Sequence, residues 1–116
     1  MIIKHYTDID PKPVAMAGAE DVMIREVITA REGAPTFAMR VFDVAPGGHT
    51  PFHEHDYEHE IFVLEGQGEV TEGERIFELR PGSTALIQPG TPHQFRNPTD
   101  QVFRFICLIP IEEKRG

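Results

Sequence analysis

The sequence predicts an all-β fold made of short strands. Gly and Pro contribute 10 residues each to a chain of 116, a frequency that predicts many tight turns and few long helices. Several segments alternate apolar and polar residues with a period of two, which is typical of strands with one buried face. Hydrophobic residues make up 40% of the chain, enough for one packed core in a domain of this size.

The strands follow in order after an irregular N-terminal stretch that reaches to about residue 20. The expected strands are 23–28, 37–44, 61–64, a hairpin over 69–80, 85–87, a short strand near 95, and 102–109. Pro46-Gly47-Gly48 is expected to end the second strand. A turn of helix is expected only in 19–28 or in the charged tail. Short strands joined by Gly/Pro turns predict a sandwich or barrel.

Charge, cysteine content and the lengths of the apolar segments limit the partners and the cellular location that we expect. The formal net charge is −8, and the resulting field repels phosphate, so neither nucleic acid nor an anionic membrane is expected as a partner. A single cysteine excludes an intrachain disulfide. No apolar segment reaches the length of a bilayer span, and the N-terminus does not resemble a signal peptide. We therefore expect a soluble cytoplasmic protein.

Three of the six histidines, His53, His55 and His59, lie within seven residues. On a strand the three would share one face, and the intervening carboxylates would take the other. Neutral imidazole is the commonest protein ligand of first-row transition metals, so this face predicts a metal site. A solvated loop remains an alternative. A zinc-protease helix is disfavoured because Asp56 stands where that motif requires Glu.

Glycines complete two longer patterns around the histidines. The first runs over about 47–66 and consists of Gly47, five residues, His53-Glu54-His55, three residues, His59, six residues and Gly66. The second runs over 82–97 and consists of Gly82, five residues, Gln88-Pro89-Gly90, two residues, His93, three residues and Asn97. Both segments resemble the two signature motifs of the cupin superfamily.

This resemblance implies one cupin domain over residues 1–116, folded as a double-stranded β-helix or jelly-roll barrel. It also implies one divalent metal ion held by His53, His55, His59 and His93. The four-histidine set resembles small single-domain manganese cupins, so manganese is the first expectation and iron the second. Nitrogen ligands also bind zinc, nickel and copper tightly, so a purified sample can carry any of these.

Two positions depart from the usual cupin pattern. His59 stands where most cupins have a glutamate ligand, and Glu60 next to it remains an alternative ligand. Gln88 replaces a usual proline, which is expected to alter the turn before His93 without removing that ligand.

Four residues are candidates for the substrate pocket. Alternation in the last strand places Phe105 and Cys107 on the inward face, where Cys107 approaches the metal side of the pocket or, as the favoured interpretation, is an inert buried thiol. Phe95 is expected in the pocket wall or in the core. Arg40 either faces inward, where it would bind an anion, or faces water at a strand edge.

Four neutral ligands leave a divalent ion its full charge, which favours oxygen-bearing guests. The first functional hypothesis is an oxidoreductase of dioxygenase type that uses oxygen or peroxide against a small organic substrate. The alternatives are a non-catalytic metal-dependent binding module and a metal-assisted isomerase or lyase, for which Tyr57 is one candidate base. We also expect a homodimer, formed by N-terminal strand exchange or edge pairing, because a small open barrel must cover its edges.

Overall fold

The computed structural model describes residues 1–115, in which strands dominate and the only helical elements are three short 3₁₀ turns. The strands are β1 (Lys12–Pro13), β2 (Glu20–Ile28), β3 (Phe37–His49), β4 (His59–Glu65), β5 (Gly68–Glu72), β6 (Arg75–Leu79), β7 (Thr84–Ile87), β8 (His93–Arg96) and β9 (Phe103–Pro110). The 3₁₀ turns are Tyr6–Asp8, Ala30–Glu32 and Glu112–Lys114. The all-β prediction is confirmed.

The nine strands form one antiparallel sheet that curls into a jelly roll. Its main path is β6-β5-β8-β3-β9-β4-β7, and β2 pairs with β3 on one side and with β1 on the other. Neighbours along this path are distant in sequence, for example β3 beside β9 and β5 beside β8. This order brings the beginnings of β4 and β8 to the same interior space.

Alternation in β9 sets the position of the core. Phe103, Phe105, Cys107 and Ile109 point inward and are no more than 8% exposed, as the sequence predicts. Arg104, on the other face, binds the Asp43 carboxylate with Nε–Oδ1 at 2.7 Å. Inward apolar side chains and outward ion pairs therefore fix the register of this strand against β3.

Strand β3 extends further than predicted. The expectation that Pro46-Gly47-Gly48 ends this strand is wrong, since β3 continues to His49. Gly47 adopts a φ of +79°, which a side chain would strain, and its N–H donates to the carbonyl oxygen of Asn97 at 2.9 Å. The irregular backbone therefore keeps its hydrogen bonds, and β2 accommodates it through a register shift between Glu20 and Val22.

Two other local expectations are settled by backbone pairing. Residues 20–28 form strand β2 and not a helix. The hairpin β5–β6 is confirmed, with Glu72 opposite Arg75 and Gly73 at a φ of +60° in the turn. Within residues 1–115, no helical segment has the length and apolarity needed to cross a bilayer.

Candidate metal centre

Two of the motif histidines belong to strands. His59 is the first residue of β4, and His93 is the first residue of β8. Both side chains face the interior and are buried, with exposed fractions of 8% and 2%. Because strand side chains alternate, Glu60 points outward and is exposed. Glu60 therefore lies outside the cluster, and His59 takes the inward position.

The other two histidines, His53 and His55, lie in the loop between β3 and β4. The predicted strand through 53–59 begins only at His59, so the proposed strand face is wrong for this pair. His53 instead forms an isolated bridge with His93, with N–O distances of 3.1 and 3.0 Å. The carbonyl oxygen of His55 accepts a hydrogen bond from the Gly90 N–H at 2.7 Å. These backbone hydrogen bonds hold the half-buried loop against the start of β8 and the turn that precedes it.

The structure brings the four imidazoles together. One ring nitrogen from each residue lies within 4.8 Å of the others, and Nε2 of His55 is 2.8 Å from Nε2 of His59. Two nitrogens that bind one ion at about 2.1 Å and at a right angle lie about 3.0 Å apart. The observed spacing therefore fits two ligands of a single first-row divalent ion.

Hydrogen bonds to the opposite ring nitrogen orient three of these imidazoles. Nδ1 of His55 lies 2.7 Å from the Tyr57 carbonyl oxygen, and Nδ1 of His93 lies 2.8 Å from the Thr91 carbonyl oxygen. Nδ1 of His59 lies 3.0 Å from the Cys107 sulfur. With the ring proton on Nδ1, each N–H donates to its acceptor and leaves the Nε2 lone pair free for an ion. The donor set thus fits a metal ion.

Burial favours the neutral form of three imidazoles of the cluster. Burial, and then the nearby Arg40 charge, lower the pKa of His59 to about 2. Burial is also the main cause of the lowered pKa values of His53 and His55. A metal ion therefore need not displace protons from these three rings at neutral pH.

The imidazoles lie in a cavity of about 370 Å³. Phe42, Phe105 and Phe95 form one wall as a continuous stack, with ring centroids 5.3 and 4.6 Å apart. The N-terminal segment 12–16 lines the cavity from another side. The four predicted pocket residues, Arg40, Phe95, Phe105 and Cys107, all line it.

Arg40 faces inward, so the alternative of a water-facing strand-edge position is not what the structure shows. Its Nη2 lies 3.0 Å from the Cys107 sulfur, and its guanidinium carbon lies 5.0 Å from the Phe42 ring centroid. Burial raises the pKa of Cys107, which keeps it a thiol at neutral pH. The Cys107 sulfur therefore connects Arg40 with His59.

Sequence reasoning gave Tyr57 too little weight. Its ring stacks on His55 with centroids 4.0 Å apart and an interplanar angle of 12°, and the guanidinium of Arg115 lies 4.0 Å from its centroid. Its position two residues after His55 was the available signal. His5 and His49 lie outside the cluster, His5 on the exposed surface and His49 half-buried with its Nε2 3.3 Å from Glu20.

The fold and the site together define a small jelly-roll protein with a candidate four-histidine metal centre. A family model described as the cupin domain matches residues 40–109. The chain therefore belongs to the cupin family.

Three relatives of known structure or curated name are similar to this chain. The 1-methylthio-D-xylulose 5-phosphate methylsulfurylase of Rhodospirillum rubrum is 31% identical over 91 residues, which are 78% of this chain and 58% of that protein. The polyketide cyclase RemF from Streptomyces resistomycificus has a TM-score of 0.92 and 37% identity, covering 97% of this chain and 80% of that one. A cupin-2 domain protein from Rhodospirillum rubrum has a TM-score of 0.83 and 25% identity, covering 96% and 75%.

The curated relatives are longer than the matched region. This chain spans 58% of the methylsulfurylase, and 52% of an uncharacterized Methanocaldococcus jannaschii protein that is 35% identical over 65 residues. A predicted oxalate decarboxylase from Thermotoga maritima, at 18% identity and a TM-score of 0.83, shows the fold alone.

Proposed function

We propose that this cupin is a metal-dependent enzyme that acts without an oxidant on a carbonyl or enol group of a small organic substrate. The observation that carries the proposal is the cluster of four imidazoles at an apolar, aromatic cavity. A divalent ion held there would act as a Lewis acid on a substrate oxygen.

Individual side chains of the chain have separate tasks in this proposal. His53, His55, His59 and His93 would hold the ion. The Phe42–Phe105–Phe95 stack offers flat apolar surface against which an unsaturated substrate packs, and it excludes water from one side of the cavity. Tyr57 keeps the His55 ring in place by stacking on it.

The names of two relatives support non-oxidative chemistry over the dioxygenase predicted from sequence. RemF is named a polyketide cyclase and the methylsulfurylase is named for a sugar-phosphate thioether, and neither name denotes an oxygenase. This places our proposal in the isomerase or lyase class that the sequence left as an alternative. The identity of the metal stays a proposal, with manganese first and iron second.

Dioxygenase-type oxidation is the second candidate function. The observation that favours it is the apolar aromatic wall directly beside the imidazoles, with the centroids of His93 and Phe95 6.2 Å apart. Apolar surroundings admit a nonpolar oxidant and limit the access of water.

One experiment separates these functions. Protein stripped of metal is reloaded with zinc, manganese or ferrous iron and mixed with a panel of β-diketones and aryl ketones in D₂O without oxygen. We expect exchange of the α-protons, followed by NMR, to be faster than with metal-free protein, with zinc as well as with manganese. Polarisation of the carbonyl acidifies the α-proton, solvent hydroxide accepts it and deuterium returns from D₂O, so no redox change is needed. The His93→Ala variant should lose the exchange, whereas the control His49→Ala should keep it.

The other outcomes assign the other functions. Oxygen uptake that occurs only with manganese or iron, without anaerobic exchange, would support the dioxygenase. Metal binding without either reaction would support the non-catalytic binding module.

The predicted homodimer also remains a proposal. It is supported by exposed apolar side chains on the outer face of β3, β4 and β7, namely Phe37, Phe62 and Leu86, with exposed fractions of 59%, 46% and 57%. In this structure β1 pairs with β2 of its own chain. Light scattering on the eluted protein is expected to give twice the chain mass, and a Phe62→Lys variant is expected to give a smaller value.

A further inference from the structure

Arg40 is a cation that lines the cavity, and no oxygen atom of the protein accepts a hydrogen bond from its guanidinium within residues 1–115. Its hydrogen bond to the Cys107 sulfur, at 3.0 Å, is the only one that its side chain forms within residues 1–115. Nε is buried without a hydrogen-bond partner. Sulfur is a weak acceptor, and an Nε–H that is buried without an acceptor is costly. The cavity is therefore short of oxygen acceptors at this point.

The charges around the cavity do not supply a counter-ion. Glu26 is the one carboxylate among the residues of 1–115 that line the cavity, and it lies opposite Arg40 in the β2–β3 register. It is exposed, and its ion pair is with Arg31, at 2.7 Å, and not with Arg40. Lys12 adds a further positive charge at the exposed rim. A divalent ion among the four imidazoles would make the cavity more positive still. An anionic occupant balances this charge.

The position of Arg40 relates the anion to the metal centre. A single sulfur atom separates its guanidinium from His59, with Nη2–Sγ and Sγ–Nδ1 distances of 3.0 Å each. One small molecule can therefore contact Arg40 and the imidazole cluster together. The planar fork of a guanidinium matches a carboxylate, and the neighbouring Phe42 ring suits a flat unsaturated body.

We propose that Arg40 binds the carboxylate of the substrate, which is then a small aromatic or unsaturated acid with a second oxygen directed at the four histidines. The role of this second oxygen rests on the proposed function. Recognition of the carboxylate by Arg40 does not, since it requires no turnover.

Binding of 2-naphthoate to metal-free protein, followed by its fluorescence, tests this assignment. Its neutral isostere 2-naphthamide is the matched ligand. We expect naphthoate to bind more tightly than naphthamide, and Arg40→Met to weaken naphthoate binding about 10- to 100-fold, as expected for a charge-assisted hydrogen-bonded pair. Naphthamide binding should change little. Arg40→Lys keeps the charge but loses the fork and should give an intermediate loss.

A second cation provides the control for charge alone. Lys12→Met removes the same charge from the rim, and we expect less than about a threefold loss of naphthoate binding there, because an exposed charge is screened. Thermal unfolding of each variant verifies the fold, and Arg40→Lys serves if Arg40→Met is unstable. Equal losses for Lys12→Met and the Arg40 variant, or equal affinities for naphthoate and naphthamide, would overturn the assignment. If Arg40-dependent binding is seen without metal-dependent exchange, the proposed reaction fails and the carboxylate site stands.

Discussion

The strand-borne and loop-borne histidines differ in how the fold holds them. His59 and His93 begin strands and are at most 8% exposed. His53 and His55 lie on a half-buried loop that is tied down by a backbone bridge to His93 and by the Gly90 N–H. The strand pair is therefore part of the core, whereas the loop pair packs onto it. The fold therefore holds the strand pair mainly by burial and the loop pair mainly by backbone hydrogen bonds.

The largest expected effect comes from removing one imidazole from each pair. Four ligands share a binding free energy of about 10–16 kcal/mol in structural zinc sites, so His93→Ala and His55→Ala should each weaken metal binding by roughly 10²–10³-fold. Competition with a chelator measures this loss. The two variants should differ without metal, because only His93→Ala leaves a hole in the core.

Thermal unfolding of the metal-free variants tests that difference. We expect His93→Ala to lose about 1–3 kcal/mol of stability and His55→Ala to lose much less. His49→Ala, outside the cluster, should leave metal affinity unchanged. If His55→Ala destabilises the metal-free protein as much as His93→Ala does, the distinction between the pairs is wrong.

Strand periodicity explains what the sequence predicts well. A period of two predicts which side chains of β9 point inward. It also predicts that His59 points inward and that Glu60, its neighbour, points outward. The approach of His93 to the first motif was available only through the resemblance to cupins. His93 reaches His53 by a backbone bridge between residues far apart in sequence, and such a closure leaves no local pattern.

Other features depended on tertiary contacts that no local pattern encodes. The strand predicted through His53 and His55 is a loop, because its backbone hydrogen bonds go to β8 and to Gly90 instead of continuing a ladder. Arg40 points inward because β3 pairs with β9 in a register that puts Arg40 opposite the inward-facing Cys107. Periodicity alone left both faces open for this residue.

An intermediate loss of metal affinity is expected on substitution of Cys107. This prediction compares the strand and loop histidines by the group that is hydrogen-bonded to Nδ1 of each ring. Nδ1 of His59 depends on a side chain, the Cys107 sulfur, whereas Nδ1 of His55 depends on the backbone carbonyl of Tyr57. Cys107→Ala should therefore weaken metal binding about 10-fold or somewhat more, in the range typical of such outer partners. Tyr57→Leu keeps its carbonyl and should weaken it less. The same chelator competition ranks the two, and a greater loss for Tyr57→Leu would contradict the role given to the sulfur.

The smallest expected effect is a pH dependence of the stability of the metal-free protein. The folded pKa of His59 is about 2, against an ordinary value of 6.5, so the unfolded chain binds more protons as the pH falls below 6.5. The contribution of His59 to the free energy of unfolding should not change with pH above 6.5. Below that pH it should fall, by on the order of 1–2 kcal/mol at pH 5. Urea unfolding at several pH values measures this fall.

The variants His59→Gln and His55→Gln show whether this pH dependence comes from the histidine on β4 or from the histidine on the loop. His59→Gln should remove most of the dependence, because burial of this ring lowers its pKa to about 2. His55→Gln should remove less, since the hydrogen bond to the Tyr57 carbonyl opposes the lowering of the His55 pKa by burial. If the two cluster variants flatten the curve equally, the His55 ring on the loop is as deeply desolvated as the His59 ring on β4, and the loop is then as much a part of the core as the start of β4 is.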